Sequence, residues 1–281
     1  MSEKESNLSI RRILVALDTS KHSQAALQAA ADMAELLGAE LMGIFVEDIN
    51  LLHVAQLSFV NEIRYPMAEV RKFDQPQMEQ HWQAQAAQAR YGLAAVAHSK
   101  QIPHSFEIVR GAVASQLLHA AVETDLLALG RLGNSLPGRS RLGSTAQTAV
   151  SQARGSVLLM GGEIDLQQPL VVIYDGTSAA RRALVVAVKL ARLNGRLRVL
   201  IWTDDDEIVV QYRQEIFARL HDSDIEISFG RIYPDAQHLL RTYLENNACG
   251  LFVIGRTTSQ LPSAILDIIL EELDCPILLV R

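Results

Sequence analysis

Cysteine is nearly absent: Cys249 and Cys275 are the only two among 281 residues. Their spacing fits neither a metal-ligand nor a redox motif, so no disulfide and no structural zinc are expected, in keeping with a cytoplasmic setting. Positive charge is in deficit, with 26 Lys and Arg against 32 Asp and Glu and a net charge of −6, which argues against a general nucleic-acid binder. Long apolar runs are missing too. The longest uncharged stretch in the first hundred residues, Ile49 to Asn61, is broken by Asn50, His53, Gln56 and Ser58 and is too short and polar to span a bilayer. The opening Met1 to Asn7 leads into no apolar core of the signal-peptide kind. Aromatics make up 5% of the chain, and Trp82 and Trp202 stand too isolated to suggest base stacking. Several motifs are absent: the phosphate loop ending in Gly-Lys-Ser/Thr, a Gly-x-Gly-x-x-Gly after the first apolar run, the Gly-x-Ser-x-Gly elbow and His-Glu-x-x-His. The usual NTPase, dehydrogenase, hydrolase and zinc-protease readings therefore lose their sequence support.

What is present is repetition. The run Ile13 to Asp18 and the later run Leu170 to Asp175 are both β-rich and both end in an acid. Each leads through small polar residues into a helix, Ser20 to Leu37 and Ser178 to Leu193, with Leu27, Ala30, Ala34 and Leu37 forming one stripe in the first. Gly38 and Gly195 stop the two helices. Strands are then expected at Glu40 to Val46, Ser105 to Arg110, Leu126 to Leu129 and Ser156 to Met160. Their counterparts are Arg196 to Thr203, Ile225 to Phe229, Leu251 to Ile254 and Pro276 to Val280. Helices expected between them cover Gln77 to Lys100, Ala114 to Glu123 and Ser144 to Gln152. In the second half they cover Glu207 to His221, Asp235 to Asn246 and Ser263 to Leu273. Strands alternating with helices imply parallel sheets covered on both faces. The chain divides into residues 1–162 and 163–281, with Gly161 to Pro169 as linker. The first half carries an insertion between Glu47 and Pro76, whose apolar Leu51, Leu52, Val54, Leu57, Phe59 and Val60 suit a helical flap over its own sheet, or else a lid or partner surface.

The segment from Gly130 to Thr145 carries the chemistry. It leaves a strand end and enters a helix, the place where open α/β sheets hold ligands. Glycines let a backbone approach closely, and a helix start offers unpaired N–H groups to an anion. From Leu126 to Gly162 there is no Asp or Glu, while Arg131, Arg139, Arg141 and Arg154 are all there. The same residues also fit a plain capping box, Ser144 with Gln147, so spacing alone leaves anion binding and simple capping both open. The histidines do not converge, and Asp204 to Glu207 reads as a solvated acidic loop rather than a metal site.

The run Gly130-x2-Gly133-x9-Gly143-Ser144 resembles the nucleotide-binding signature of the universal stress protein family. Together with the strand ending in Asp18, the Ser20, Ser23, Ala26 and Leu27 helix start and the short last strand, the chain is similar to a tandem universal stress protein. The resemblance implies two tandem open five-stranded parallel-sheet sandwich domains, α/β and Rossmann-like, of the adenine nucleotide alpha hydrolase-like type. It further implies an ATP site, with Mg²⁺, in the first domain. Ala16, Leu17 and Asp18 would face adenine and ribose, with Asp18 accepting from sugar hydroxyls, and Val46 would meet the adenine. Leu129, Gly130, Leu132 and Gly133 would wrap ribose and phosphates. Gly143, Ser144 and Thr145 would donate to the outer phosphates. The second domain departs from this pattern: Thr257 to Pro262 follows Arg256 with no second glycine, and Asp267, Glu271 and Glu272 lie on the next helix, so no ATP is expected there.

A nucleotide-dependent sensor or adaptor with an unidentified protein partner is therefore expected. A slow ATPase or nucleotidyl-transfer enzyme and a nucleotide-free scaffold are the rivals. No membrane or nucleic-acid partner is expected. Ser156 to Met160 and Cys275 to Val280 are apolar edge strands, expected to pair within the chain as a pseudo-dimer, with pairing of whole chains left open.

Overall fold

The computed structural model describes residues 10–55, 61–64, 69–72, 75–132, 142–220, 224–234, 240, 242–243, 246–256, 263–273 and 275–281. The first half runs β1 (Arg12–Ala16), α1 (Lys21–Leu37), β2 (Glu40–Asp48), α2 (Ile49–Ala55), β3 (Asn61–Arg64), β4 (Glu69–Lys72) and α3 (Gln75–Ser99). It continues with β5 (His104–Gly111), α4 (Val113–Ala120), β6 (Leu126–Gly130), α5 (Ser144–Gln152) and β7 (Ser156–Met160). The second half runs β8 (Leu170–Tyr174), α6 (Ser178–Ala191), β9 (Arg196–Trp202), α7 (Asp206–Arg219) and β10 (Glu226–Ile232). It ends with β11 (Leu251–Gly255), α8 (Ser263–Glu272) and β12 (Ile277–Val280). Of the helix expected at Asp235 to Asn246, residues 240, 242–243 and 246 are helical, and the others lie outside the described residues.

The main strands form one sheet of ten, in the order β10-β9-β8-β11-β12-β7-β6-β1-β2-β5. In this sheet every described pairing within a half is parallel, and the two halves follow the same order, with the first strand central and the direction of winding reversing beside it. The single antiparallel junction joins β7 to β12, pairing Ile277 with Leu159 and Leu279 with Val157. The intrachain edge pairing expected from the sequence is thus present, and it fuses the two five-stranded sheets into one continuous slab. Joining them removes the two apolar edges that would otherwise template association.

Central strands buried on both faces explain the unbroken apolar runs: β7, β8 and β11 are buried at every residue. One core lies under α1, α3 and α6 and includes Met33, Leu93 and Leu190. The other lies under α4, α5 and α8 and includes Leu117, Val150 and Ile269. Both cores run across the junction. The first helix of each half starts alike: Ser20 caps α1 by accepting from the Ser23 N–H, and Thr177 caps α6 by accepting from the Ala180 N–H. Gly38, at φ 64°, closes α1 in the left-handed conformation, with its N–H on the Ala34 carbonyl.

Two expectations need correction. The insertion is not a purely helical flap: only Ile49–Ala55 is helical, and β3 and β4 form an antiparallel hairpin pairing Ile63 with Val70. Its strands alternate charged and apolar residues, a period of two that does not suit a helix. Leu57, Phe59 and Val60 lie outside the described residues. Cys249 and Cys275 are joined in a disulfide, with Cα atoms 6.2 Å apart. They are 26 residues apart in sequence, but the parallel register that puts Phe252 beside Ile277 brings the starts of β11 and β12 together. The cysteine argument for a reducing compartment falls with this bond. Among the described residues no helix is long and apolar enough to cross a membrane.

Candidate functional site

The carboxyl ends of β1, β2 and β6 open into a cleft of roughly 490 Å³ on the first half. It lies at the switch point between β1 and β6, where the connections run off in opposite directions and leave a crevice. Ala16, Leu17, Asp18, Val46, Leu129, Gly130, Leu132, Gly143, Ser144 and Thr145 all line it. Gly133 lies outside the described residues. Residues 16 to 18, 46, 129 to 132 and 143 to 145 are far apart in sequence, and it is the parallel register that gathers them.

The turn after β1 is shaped by side chain–backbone bonds. The Asp18 carboxylate accepts from the Ser20 N–H at 3.0 Å, and the Ser23 hydroxyl accepts from the Asp18 N–H at 3.1 Å. Between them Thr19 takes φ 64°, a left-handed conformation costly for a β-branched residue, where the second half has Gly176 at φ 74°. The Thr19 hydroxyl accepts from Gln85 Nε2 at 3.3 Å, which ties the turn to α3. A carboxylate is thereby fixed at the strand end, beside an apolar wall of Ile44, Phe45 and Leu117.

Across the cleft stands the start of α5. Its cap is Gly143, not Ser144, and no side chain caps it. The capping box open in the sequence is not formed, because Ser144 is already the first helical residue and its side chain is exposed. One expectation changes here. The Gly143 N–H is engaged by the Arg131 carbonyl at 2.7 Å, so it is not a free donor to a ligand. The first helical bond runs from the Gln147 N–H to the Gly143 carbonyl at 2.9 Å. The N–H groups of Ser144, Thr145 and Ala146 therefore have no acceptor within the helix, and all three residues line the cleft. An uncapped helix start with two hydroxyl side chains suits an anion.

Arg131 departs from the electropositive role its position suggests. It is only 4% exposed, and its guanidinium donates to the carbonyls of Leu270 and Leu273 in the second half. Gly130 also has a packing role. A Cβ there would sit 2.7 Å from His22 Cβ and 3.1 Å from the His22 carbonyl carbon. Sequence reasoning missed Asp48, Asn50, Trp82, Gln85 and Val113, which also line the cleft. Asp48 Oδ1 accepts from the Asn50 N–H at 3.0 Å, turning the chain from β2 into α2 at the cleft mouth. The Asp-x-Asn pair was a readable turn signal. Trp82 gave none, because its role depends on how α3 lies across the sheet.

The corresponding turn of the second half is filled by protein. Tyr212 of α7 donates to the Asp175 carbonyl at 3.0 Å, and a Cβ on Gly176 would come within 2.2 Å of its hydroxyl oxygen. Tyr174 packs edge-on against Tyr212, with ring centroids 5.2 Å apart. Burial, and then the adjacent Glu215 carboxylate, push the Tyr174 hydroxyl above the usual tyrosine range. Burial pushes Tyr212 up as well, with Asp175 adding to it. Arg181 Nε donates to Glu215 at 2.8 Å and locks α6 to α7 beneath this cluster. The loop from Thr257 to Pro262 lies outside the described residues.

Among solved structures, a universal stress protein from Archaeoglobus fulgidus DSM 4304 matches at TM-score 0.68 and 14% identity, over 96% of this chain and 98% of that one. A functionally unknown protein from Pseudomonas aeruginosa PAO1 matches at TM-score 0.62 and 15% identity, over 99% of this chain and 94% of that one. At these identities the likeness establishes the fold, and it extends over both halves. No curated protein matches the chain. The model of the universal stress protein family matches residues 9–160, more than half of the sequence and all of the cleft. By that match, on the doubly wound fold described above, the chain belongs to the universal stress protein family.

Proposed function

We propose that this protein is a stress-response regulator that binds ATP with Mg²⁺ in the cleft of residues 1–162 and acts as a nucleotide-dependent sensor or adaptor. Residues 163–281 serve in this reading as a built-in partner domain without a nucleotide. The supporting observation is the pairing of donors and acceptors across one cleft. The amides of Ser144, Thr145 and Ala146, which have no acceptor within the helix, share the cleft with a fixed Asp18 carboxylate and an apolar wall of Ile44, Phe45 and Leu117. Phosphates suit the first, sugar hydroxyls the second, and a base the third. The donor chemistry also fits a magnesium ion: Asp48 and the Thr145 hydroxyl are hard oxygen ligands at the cleft, and the ion would offset phosphate charge there. In the second half, Tyr212 over Gly176 supports a single nucleotide per chain.

Mass spectrometry of the small molecules released when the purified full chain is denatured tests the reading. ATP or ADP near one equivalent is expected. A protein that carries none and takes up none on incubation with Mg·ATP favours the scaffold reading, and sustained ADP release at stoichiometric enzyme favours the enzyme.

A further inference from the structure

Two arginines hold the same place in the repeat, each directly after the glycine that ends the fourth strand of its half. Arg131 follows Gly130 and Arg256 follows Gly255. Each backbone N–H grips the last strand of its own half: Arg131 donates to the Met160 carbonyl at 2.9 Å, Arg256 to the Val280 carbonyl at 2.6 Å. Each guanidinium crosses to the other half. Arg131 reaches the carbonyls of Leu270 and Leu273 at the end of α8. Arg256 reaches those of Ser151, at 2.6 Å, and Ala153, at 3.3 Å, at the end of α5. The last four carbonyls of a helix have no helical donor and carry partial negative charge, so a guanidinium fork is a matched partner for them.

The exchange is symmetric, but the two helices it grips are not equivalent. The start of α5 faces the cleft, and α5 has only 9 residues, a length of about 13 Å. Its two ends are held by different agents. The start hangs on the Arg131 carbonyl through the Gly143 N–H, and the end hangs on Arg256 from the second half. So short a helix moves as a rigid rod, and loosening one end shifts the amides at the other.

We propose that Arg256 is a positioning residue for the cleft of the other half: it fixes α5 so that the amides of Ser144 to Ala146 converge on the ligand. Arg131, which itself lines the cleft, carries the coupling back to the end of α8. The second half thereby regulates the affinity of the first without binding nucleotide itself. The consequence for ATP rests on the function proposed above; the consequence for α5 does not.

The test uses the full chain with Arg256→Met, which keeps most of the side chain's apolar length and removes its donors, and with Arg256→Lys, which keeps the charge but not the fork. Amide hydrogen exchange over Gly143 to Val150 is read first, without ligand, and ATP titration second. Arg256→Met should raise exchange at Ser144 to Ala146 about tenfold or more and weaken ATP binding by a similar factor, with Arg256→Lys between it and the parent. Glu215→Gln, which loosens the second half away from α5, should change neither. If Arg256→Met lowers the melting temperature yet leaves both the exchange and the affinity unchanged, the arginine is only an interface staple and the proposal is wrong. If the parent chain takes up no ATP, the nucleotide reading fails while the exchange arm still decides the positioning role. If Arg256→Met does not fold, Arg256→Lys decides by the same two readouts.

Discussion

Replacing Gly255 with alanine separates packing from ligand binding, because Gly255 stands where Gly130 stands but in the half with no proposed nucleotide. An added Cβ would lie 2.5 Å from both the carbonyl carbon and the oxygen of Ala179, and 2.8 Å from the Ala180 nitrogen. All three are backbone atoms at the start of α6, so no side chain can swing aside and the helix itself must move away from β11. Overpacking of this kind costs about 1–3 kcal/mol, and the stiffer unfolded chain returns about 0.4–1. A net loss of about 1–2 kcal/mol follows, or roughly 2–8 °C in melting temperature at 2–4 °C per kcal/mol. Gly130→Ala should be milder, since its nearest neighbour is His22 Cβ at 2.7 Å, with the backbone only at 3.1 Å. Gly162→Ala, with nothing within 4 Å, is the control and should be neutral or slightly stabilising. Thermal melts by circular dichroism and urea titration measure all three. A Gly255→Ala protein that melts with the parent would refute the claim that this glycine serves helix–strand approach in both halves.

Ser144→Asp places a carboxylate at the uncapped start of α5; it should stabilise the ligand-free protein by about 0.3–1 kcal/mol while weakening ATP at least tenfold, about 1.4 kcal/mol. Melts and titration that move in the same direction would contradict an anion site there. For Glu215, burial is the largest single influence and works to raise the pKa, but neighbouring Arg181, Tyr174 and Arg219 together outweigh it and the net shift is downward. The stability it adds is therefore present above the ordinary carboxylate range and is lost as pH falls through the lowered value, and Glu215→Gln should flatten that acid limb of the melting profile. Thiol titration of the denatured, unreduced chain should find essentially no free cysteine, and reduction should cost about 3–4 kcal/mol by loop entropy over 26 residues. Two free thiols per chain would restore the original reading of these residues.

Most of the architecture was legible because its signals are local. Strand runs ending in Asp18 and Asp175, helix stops at Gly38 and Gly195, and an acid-free loop each reflect a physical need met within a few residues. What escaped was set by long-range register. Cys249 and Cys275 become neighbours only through the parallel crossover, and Trp82 meets the cleft only through the path of α3. The arginine exchange had a readable trace, the Gly-Arg pair repeated as Gly130-Arg131 and Gly255-Arg256. Read on its own half, Arg131 belonged to an electropositive loop suited to phosphate; only the β7–β12 junction shows that each arginine serves the opposite half. The capping box failed for a different reason. The Gly143 N–H is held by the Arg131 carbonyl and Gly143, not Ser144, takes the cap position, which leaves the amides at the start of α5 open to the cleft.

The central claim, one ATP held by the first half, is tested most directly by isothermal titration of Mg·ATP into the nucleotide-stripped full chain, alongside Ser144→Asp. The account predicts a stoichiometry near one and loss of most of the binding signal in the variant. No binding, two comparable sites, or one site indifferent to Ser144→Asp would contradict it.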